Sequence, residues 1–324
     1  MFIIDNARFG YGGIRTVIDG IWRADEENIE KIIVPKFRFA LLSFIYELLI
    51  IPYLLRNVDE CVLWPNNRIG FFLSSKLKKN SIVIVHDIQA IEYPQNYNFI
   101  VRLWRTIMLK RLRKHQIRVT SISMYTKYAI SEKLKLDSTL IYPSVVLKRP
   151  SVVERGDYFL YYGSAAKNKR IELLLSNYNE YRRRGGDKRL VLVLSRKYED
   201  FVKNHGKELV PTITVYNGLT DFELSGLLAG CWKVLSTSNY EGFGLFVLEG
   251  WKFSKEVIVF NNSNLSYFNK MIGINIQSNT DFVNRMLSKE YKFLDYISWK
   301  KQYNWGNTLK ILKELNETNH TKLK

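Results

Sequence analysis

Two glutamates, Glu241 and Glu249, stand eight positions apart in the run Tyr240-Glu241-Gly242-Phe243-Gly244-Leu245-Phe246-Val247-Leu248-Glu249-Gly250. An apolar strand-like stretch, Cys231 to Leu235, and a short polar loop, Ser236 to Asn239, precede them, and a helix-like segment follows. Gly242 and Gly244 allow the tight turn that lets the amides opening a helix face an anion. A helix starting near Phe243 leaves Glu241 in the loop before it and places Glu249 about two turns in. Amides for a diphosphate, one carboxylate for sugar hydroxyls and one for ribose hydroxyls together suit a nucleotide sugar. Taken alone, the same glycine pair also opens many ordinary helices, and both glutamates could be solvated.

The elements that must position these groups alternate along the chain. Strand-like runs fall at Phe2–Asp5, Val62–Trp64, Ile82–His86, Ile117–Ser121 and Leu140–Tyr142. A second set falls at Tyr158–Tyr162, Leu190–Leu194, Ile213–Tyr216, Lys233–Leu235 and Val257–Phe260. Helix-period segments such as Phe99–His115, Thr126–Leu136, Lys169–Arg184, Phe222–Ala229 and Phe282–Leu287 lie between them. Such alternation predicts two doubly wound parallel sheets, with ligands beyond the carboxyl ends of the strands. Pro143, Pro150 and Gly156 punctuate a boundary near 147–157. The expected domains are 1–150 and 151–300, followed by a C-terminal segment, 301–324.

Several post-strand loops carry residues that bear chemistry. After the first strand comes Gly10-Tyr11-Gly12-Gly13-Ile14-Arg15, where glycines permit close backbone approach to phosphate or sugar. It has neither dinucleotide-fingerprint spacing nor a Walker lysine, so nicotinamide and ATP sites are not expected. After the third comes Val85-His86-Asp87, with Pro94 beyond. Gly163 is followed by Ser164 and then by Lys167, Lys169 and Arg170 at a helix start, a basic cluster that opposes the helix dipole and so calls for an anion. Gly218-Leu219-Thr220-Asp221 turns into another helix, with Thr220 or Asp221 as its cap.

The Glu241–Glu249 block resembles the E-x7-E signature of glycosyltransferase family 4, retaining enzymes of GT-B fold, in its common form E-G-F-G-L-x-x-L-E. Val85, His86, Asp87 and Pro94 match that family's His-Asp pattern, and Gly163 with Lys169 matches its strand–glycine–lysine element. The resemblance runs from about Gly10 to Leu315 and is dense only over 158–260. It implies two Rossmann-like domains facing across a cleft, the first for the acceptor and the second for the nucleotide sugar. The final helix is then expected to cross back onto the first domain. It further implies that Lys169 stabilises the leaving diphosphate, Glu241 orients the sugar and His86 faces the transferred sugar. Donor contacts fall to Gly12, Gly13, Leu219, Gly242, Phe243, Gly244, Leu245 and Glu249. Many members carry an arginine after the strand glycine, where this chain has Ser164; Lys167 or Arg170 could replace it.

Composition narrows the partners. The 324 residues carry a net charge of +18, with twelve Lys or Arg between Arg102 and Arg149 against only Glu132 and Asp137. The expected partner is therefore anionic, a phosphorylated substrate or an acidic membrane surface; no RNP, zinc or recognition-helix pattern supports nucleic acid. Cys61 and Cys231 stand alone, which predicts a reducing cytoplasmic setting. Phe39 to Leu55 is apolar but short of the ~20 residues a span needs, and contains Glu47 and Pro52. A buried or interfacial helix flanked by Lys36, Arg38 and Arg56 is expected there. No Asp-x-Asp occurs, and a lysine with helix amides can neutralise a diphosphate, so a metal-independent enzyme is expected. The combined reading is a retaining hexosyltransferase using a UDP-, GDP- or dTDP-sugar and a lipid-linked glycan acceptor of bacterial surface polysaccharide synthesis. The alternatives are a catalytically weak GT-B-like binding protein for anionic lipid or glycan, and a GT-B epimerase or phosphorylase.

Overall fold

The computed structural model describes residues 1–6, 13–35, 37–153, 155–194, 201, 203 and 210–321. Gly10 and Gly12 lie outside the described residues. The chain divides into two compact units, one of Met1–Ser144 with Gln302–Lys324 and one of Val145–Lys301.

The first unit holds six parallel strands, β1 (Phe2–Asp5), β2 (Glu30–Ile33), β3 (Val62–Trp64), β4 (Ser81–Val85), β5 (Arg118–Ser121) and β6 (Thr139–Leu140), in the order β2-β1-β3-β4-β5-β6. The central strands are apolar runs covered by helices on both faces, as a parallel sheet requires; every residue of β3 and β4 is buried. β2 escaped the sequence reading because it is an edge strand of Glu, Lys and two isoleucines, with no residue fully buried.

The second unit holds five parallel strands: β7 (Tyr158–Gly163), β8 (Arg189–Leu194), β9 (Ile213–Asn217), β10 (Val234–Ser236) and β11 (Val257–Val259). Their order is β11-β10-β7-β8-β9. Chain order reverses beside β1 in one sheet and beside β7 in the other, so each sheet has a switch point where successive loops turn to opposite faces. In the second unit that point lies between β7 and β10.

The Phe39–Leu55 stretch is helical from Ala40 to Leu54, interrupted by a π-helical turn at Tyr46–Ile50 that carries the fully buried Glu47. Among the described residues no helix is long and apolar enough to cross a membrane. The last helix, Trp305–Thr321, packs on the helix Gly13–Ala24 within the first unit. Lys313 Nζ pairs with Asp25 Oδ2 at 2.6 Å, and Arg118 donates to the Leu315 carbonyl. Thr308 Oγ1 donates to the Tyr142 carbonyl at 2.5 Å.

Close approach of these two helices depends on Gly20, where an added Cβ would stand 2.1 Å from Trp305 Cε2. Gly20→Ala should therefore destabilise the chain by ~1–3 kcal/mol through overpacking. Gly226, exposed in the helix Asp221–Gly230 with nothing within 4 Å of a Cβ, should respond with the opposite sign. Gly226→Ala is expected to gain up to ~1 kcal/mol from helix propensity. Denaturant unfolding of the two variants measures both effects, and equal shifts would refute the packing argument.

Candidate nucleotide-sugar site

The loops leaving β7 and β10 meet at the switch point of the second unit. β7 ends at Gly163, and a 3-10 turn, Lys167–Lys169, leads through Arg170 at a positive φ of 50° into the helix Ile171–Arg183. β10 ends at Ser236, and the chain passes through Thr237 to Gly244 before the helix Leu245–Lys252. That helix begins two residues later than expected, because Gly244, at a φ of 93°, is its cap. Glu249 consequently sits about one turn in, not two.

Hydrogen bonds join the two loops into one surface. Thr237 Oγ1 donates to the carbonyls of Lys169 (3.0 Å) and Arg170 (2.8 Å), and the Asn239 amide donates to the Asn168 carbonyl at 2.9 Å. On this frame Lys169 Nζ forms an ion pair with Glu241 Oε1, both side chains partly exposed. The Glu241 amide donates to Ser263 Oγ at 2.9 Å, and Asn264 Nδ2 donates to the Phe243 carbonyl at 2.7 Å. The loop after β11 thus props the turn that carries Glu241. Gly250 lets the helix lie on that strand, since a Cβ there would stand 2.3 Å from Val257 Cγ2.

Glu249 is 8% exposed, and among the described residues its hydrogen-bond partner is the Tyr162 hydroxyl, which donates to Oε2 at 2.8 Å. Burial pushes its carboxyl up to about 7, with the Tyr162 bond pulling weakly the other way. One oxygen is held by tyrosine, and among the described residues the other has no hydrogen-bond partner. Sequence reasoning missed Tyr162, whose one signal was its place directly before the strand glycine. It also missed Thr237, Ser263 and Asn264, which read as ordinary loop residues.

The remaining expected residues are more scattered. Leu219, half-buried, follows β9, two strands from β7 and so ~10 Å along the same sheet edge. Thr220 caps the next helix in a capping box with Glu223. Lys167 and Arg170 are both exposed beside Ser164. Gly13 opens a helix of the first unit.

His86 also belongs to the first unit, directly after β4, and is half-buried. Its Nε2 lies 2.7 Å from the Pro65 carbonyl oxygen, which only accepts, so Nε2 carries the proton. Burial holds the ring below its ordinary value, leaving it neutral with Nδ1 as the accepting nitrogen. At the switch point of that unit lies a polar cluster the sequence did not predict. Asn6 Nδ2 donates to Glu47, Asn66 Nδ2 donates to Asn6 Oδ1 at 2.9 Å, and Arg68 Nη1 stands 3.5 Å from Glu47 Oε2. Among the described residues no group of three or more His, Cys, Asp or Glu is arranged to hold a metal.

Residues 147–278, all within the second unit, match the family described as Glycosyl transferases group 1. No curated protein matches the chain in sequence. Among solved structures it is similar to AviGT4, a glycosyltransferase involved in avilamycin A biosynthesis (TM-score 0.66, 15% identity, 98% of this chain and 96% of that one). It is also similar to WaaG, a glycosyltransferase involved in lipopolysaccharide biosynthesis (TM-score 0.65, 14% identity, 88% and 89%). A third likeness is to a mutant of S. aureus TarM in complex with fondaparinux, alpha-GlcNAc-glycerol and UDP (TM-score 0.58, 16% identity, 72% of this chain and 50% of that one); this chain spans half of that protein's length. At such identities the structural likeness is one of fold, and two parallel-sheet α/β units with these neighbours fit a GT-B fold. The family match together with these neighbours supports a glycosyltransferase enzyme.

The raised carboxyl of Glu249 has a measurable signature. Between about pH 4.5 and about 7 the folded chain keeps a proton that the unfolded chain has lost. Stability should therefore fall as pH rises across that window and level off above it, a total of about 3 kcal/mol. Glu249→Gln keeps an acceptor for Tyr162 and removes the titration. The variant should lose that slope and unfold later than the parent once the pH is above the window. Identical pH–stability curves for the two proteins would show that Glu249 is not buried in this way.

Proposed function

We propose that this glycosyltransferase is a retaining enzyme of glycosyltransferase family 4. It moves a hexosyl group from a nucleoside-diphosphate sugar to a lipid-linked glycan of bacterial surface polysaccharide synthesis. The observation that carries the donor half is the convergence at one switch point of Lys169, Glu241, the amide end of the helix Leu245–Lys252 and the buried Glu249. The diphosphate enters beside Lys169 and displaces its ammonium from Glu241, so the cation neutralises phosphate and the carboxylate is released to the sugar hydroxyls. The helix-start amides share the growing negative charge, and the free oxygen of Glu249 accepts from a ribose hydroxyl. The departing diphosphate takes the acceptor proton on the face it leaves. The chain's contribution is then positional and electrostatic, and no metal is required. His86, in the first unit, keeps the role the family resemblance gives it, and among the described residues its Nδ1 has no hydrogen-bond partner. UDP in the TarM complex makes a UDP-sugar the first donor to try.

The acceptor half rests on the first unit. Helices Ala40–Ile45 and Phe99–Lys114 pack together through Phe44 and Trp104, whose ring centroids are 4.9 Å apart. Around that contact Phe39, Leu42, Phe72, Phe99, Ile100 and Leu103 are exposed. The helix Phe99–Lys114 adds six Lys or Arg and no acid. An apolar face fringed with cations suits the cytoplasmic surface of an anionic bilayer, where a lipid-linked acceptor is presented.

The site glutamates should separate by ligand. Glu241→Ala should cut transfer roughly ten- to a hundredfold while leaving affinity for the bare nucleoside diphosphate unreduced or raised, since Lys169 no longer has a carboxylate to leave. Glu249→Ala should weaken nucleotide and nucleotide sugar alike, by about the same factor, since ribose is common to both. Lys169→Ala should lower turnover more than ground-state affinity, because charge on the leaving group grows toward the transition state. Calorimetry with the diphosphate and steady-state transfer rates read these effects. Wild-type binding and rate in both glutamate variants would end the proposal.

Vesicles test the acceptor half. The chain should co-sediment with anionic vesicles at low salt and be released as salt shortens the Debye length. Phe72→Ser with Ile100→Ser should reduce the bound fraction. Indifference to lipid charge, or no pelleting at all, would contradict it.

A further inference from the structure

At the opposite end of the second sheet, where β7, β10 and β11 begin, lies a cavity of about 610 Å³. The strands are up to six residues long, so it stands ~20 Å from the loops that carry Lys169 and Glu241. Its volume falls in the range of small-molecule sites. Its rim brings together Arg149, Arg155 and Lys255, with Trp232 and Tyr291 forming one wall. Backbone bonds fix the frame: the Gly156 amide donates to the Gly230 carbonyl at 2.9 Å, Trp232 to Tyr158 at 2.7 Å and Lys255 to Gly250 at 2.8 Å. The wall is equally set, with the two rings edge to face at 4.7 Å and the Tyr291 hydroxyl donating to the Trp232 carbonyl at 2.6 Å.

The charges of the described lining residues are one-sided. Among them there is no Asp or Glu, and neither arginine has an ion pair among the described residues, although Arg149 Nη2 donates to the Phe253 carbonyl at 3.5 Å. Among the described residues, the carboxylates next in sequence to the lining are engaged elsewhere: Asp157 with Lys188 at 2.5 Å, Glu256 with Lys233 and Arg285 on the buried side of the strands, and Glu290 with Arg285 at 3.5 Å. Lys255 Nζ spends one proton on the Cys231 carbonyl at 2.7 Å and keeps two. Burial lowers its pKa, and repulsion from Arg149 and Arg155 acts in the same direction, so the three cations are near enough to oppose one another.

We infer that this cavity is a second ligand site, for a phosphate or diphosphate ester whose charged end lies among Arg149, Arg155 and Lys255 and whose body lies against Trp232 and Tyr291. Guanidinium groups match phosphate geometry bidentately, and the indole and phenol offer flat apolar surface to the rest of the ligand. Because the site occupies the amino ends of the strands, its ligand does not compete with a nucleotide sugar at their carboxyl ends.

Pyrophosphate is the probe, and Lys169→Ala, present in both proteins compared, weakens the other place where it could bind, so that the difference between them reads the two arginines. Calorimetry compares the full chain carrying Lys169→Ala with the same chain carrying also Arg149→Ser and Arg155→Ser, both at exposed positions, with circular dichroism checking that the two proteins fold alike. The triple variant should bind pyrophosphate roughly tenfold or more weakly. Phosphatidic-acid vesicles form the second arm. If only vesicle binding falls in the triple variant, the phosphate recognised is a lipid headgroup. Equal affinity of the two proteins for both probes, or binding of neither probe by either, overturns the site.

Discussion

In the second sheet β7 has β10 on one side and β8 on the other, so the chains leaving β7 and β10 turn to opposite faces and part. Backbone groups at such a parting lose their sheet partners and must find others. Here they find one another across the gap. The Thr237 hydroxyl donates to the carbonyls of Lys169 and Arg170, and the Asn239 amide donates to the carbonyl of Asn168. Once the loops are tied in this way, Lys169 and Glu241, 72 positions apart in sequence, are held within ion-pair distance. The prop from Ser263 and Asn264, the cap at Gly244 and the seat of Glu249 all build outward from that joint.

Buried charge is handled in two ways in this unit, and the contrast separates structure from site. Glu256 is fully buried and well compensated: Lys233 and Arg285 pair with it, and the Lys292 amide donates to it at 3.3 Å. Lys233 in turn donates to the carbonyls of Ser288, Arg285 and Glu290. Such a network binds the sheet to the helix Asn279–Leu287, and removing one member would strand the others. Glu249 is nearly as deep yet has the Tyr162 hydroxyl where Glu256 has two cations. An under-compensated carboxyl beside a helix start is where a ligand's hydroxyl has most to offer. In the first unit Glu47 follows the pattern of Glu256, held by Asn6 and Arg68 within a π-helical turn.

Much of the fold was legible because parallel strands buried on both faces read as continuous apolar runs. Of the eleven strands among the described residues, ten lie where those runs predict, within one or two residues at their ends. β2 was not legible, since an edge strand with solvent beside it need not be apolar. The start of the helix after Glu241 was misplaced by two residues. Two glycines precede that helix, and only the folded backbone shows that Gly244 takes the positive φ that caps it.

For the site, residue types and spacing along the sequence determined which groups are chemically able to act: Glu241, Glu249, Lys169 and the glycines that let a helix end face an anion. They could not determine which of these groups meet. That Lys169 pairs with Glu241, that Tyr162 and not a cation holds Glu249, and that three basic residues share a cavity at the far end of the strands were decided by strand order. The physical reason is that hydrophobic periodicity is a local signal, set by neighbours a few residues away. Ion pairs and desolvation depend on distances through space, and those exist only once the sheet has brought remote loops together.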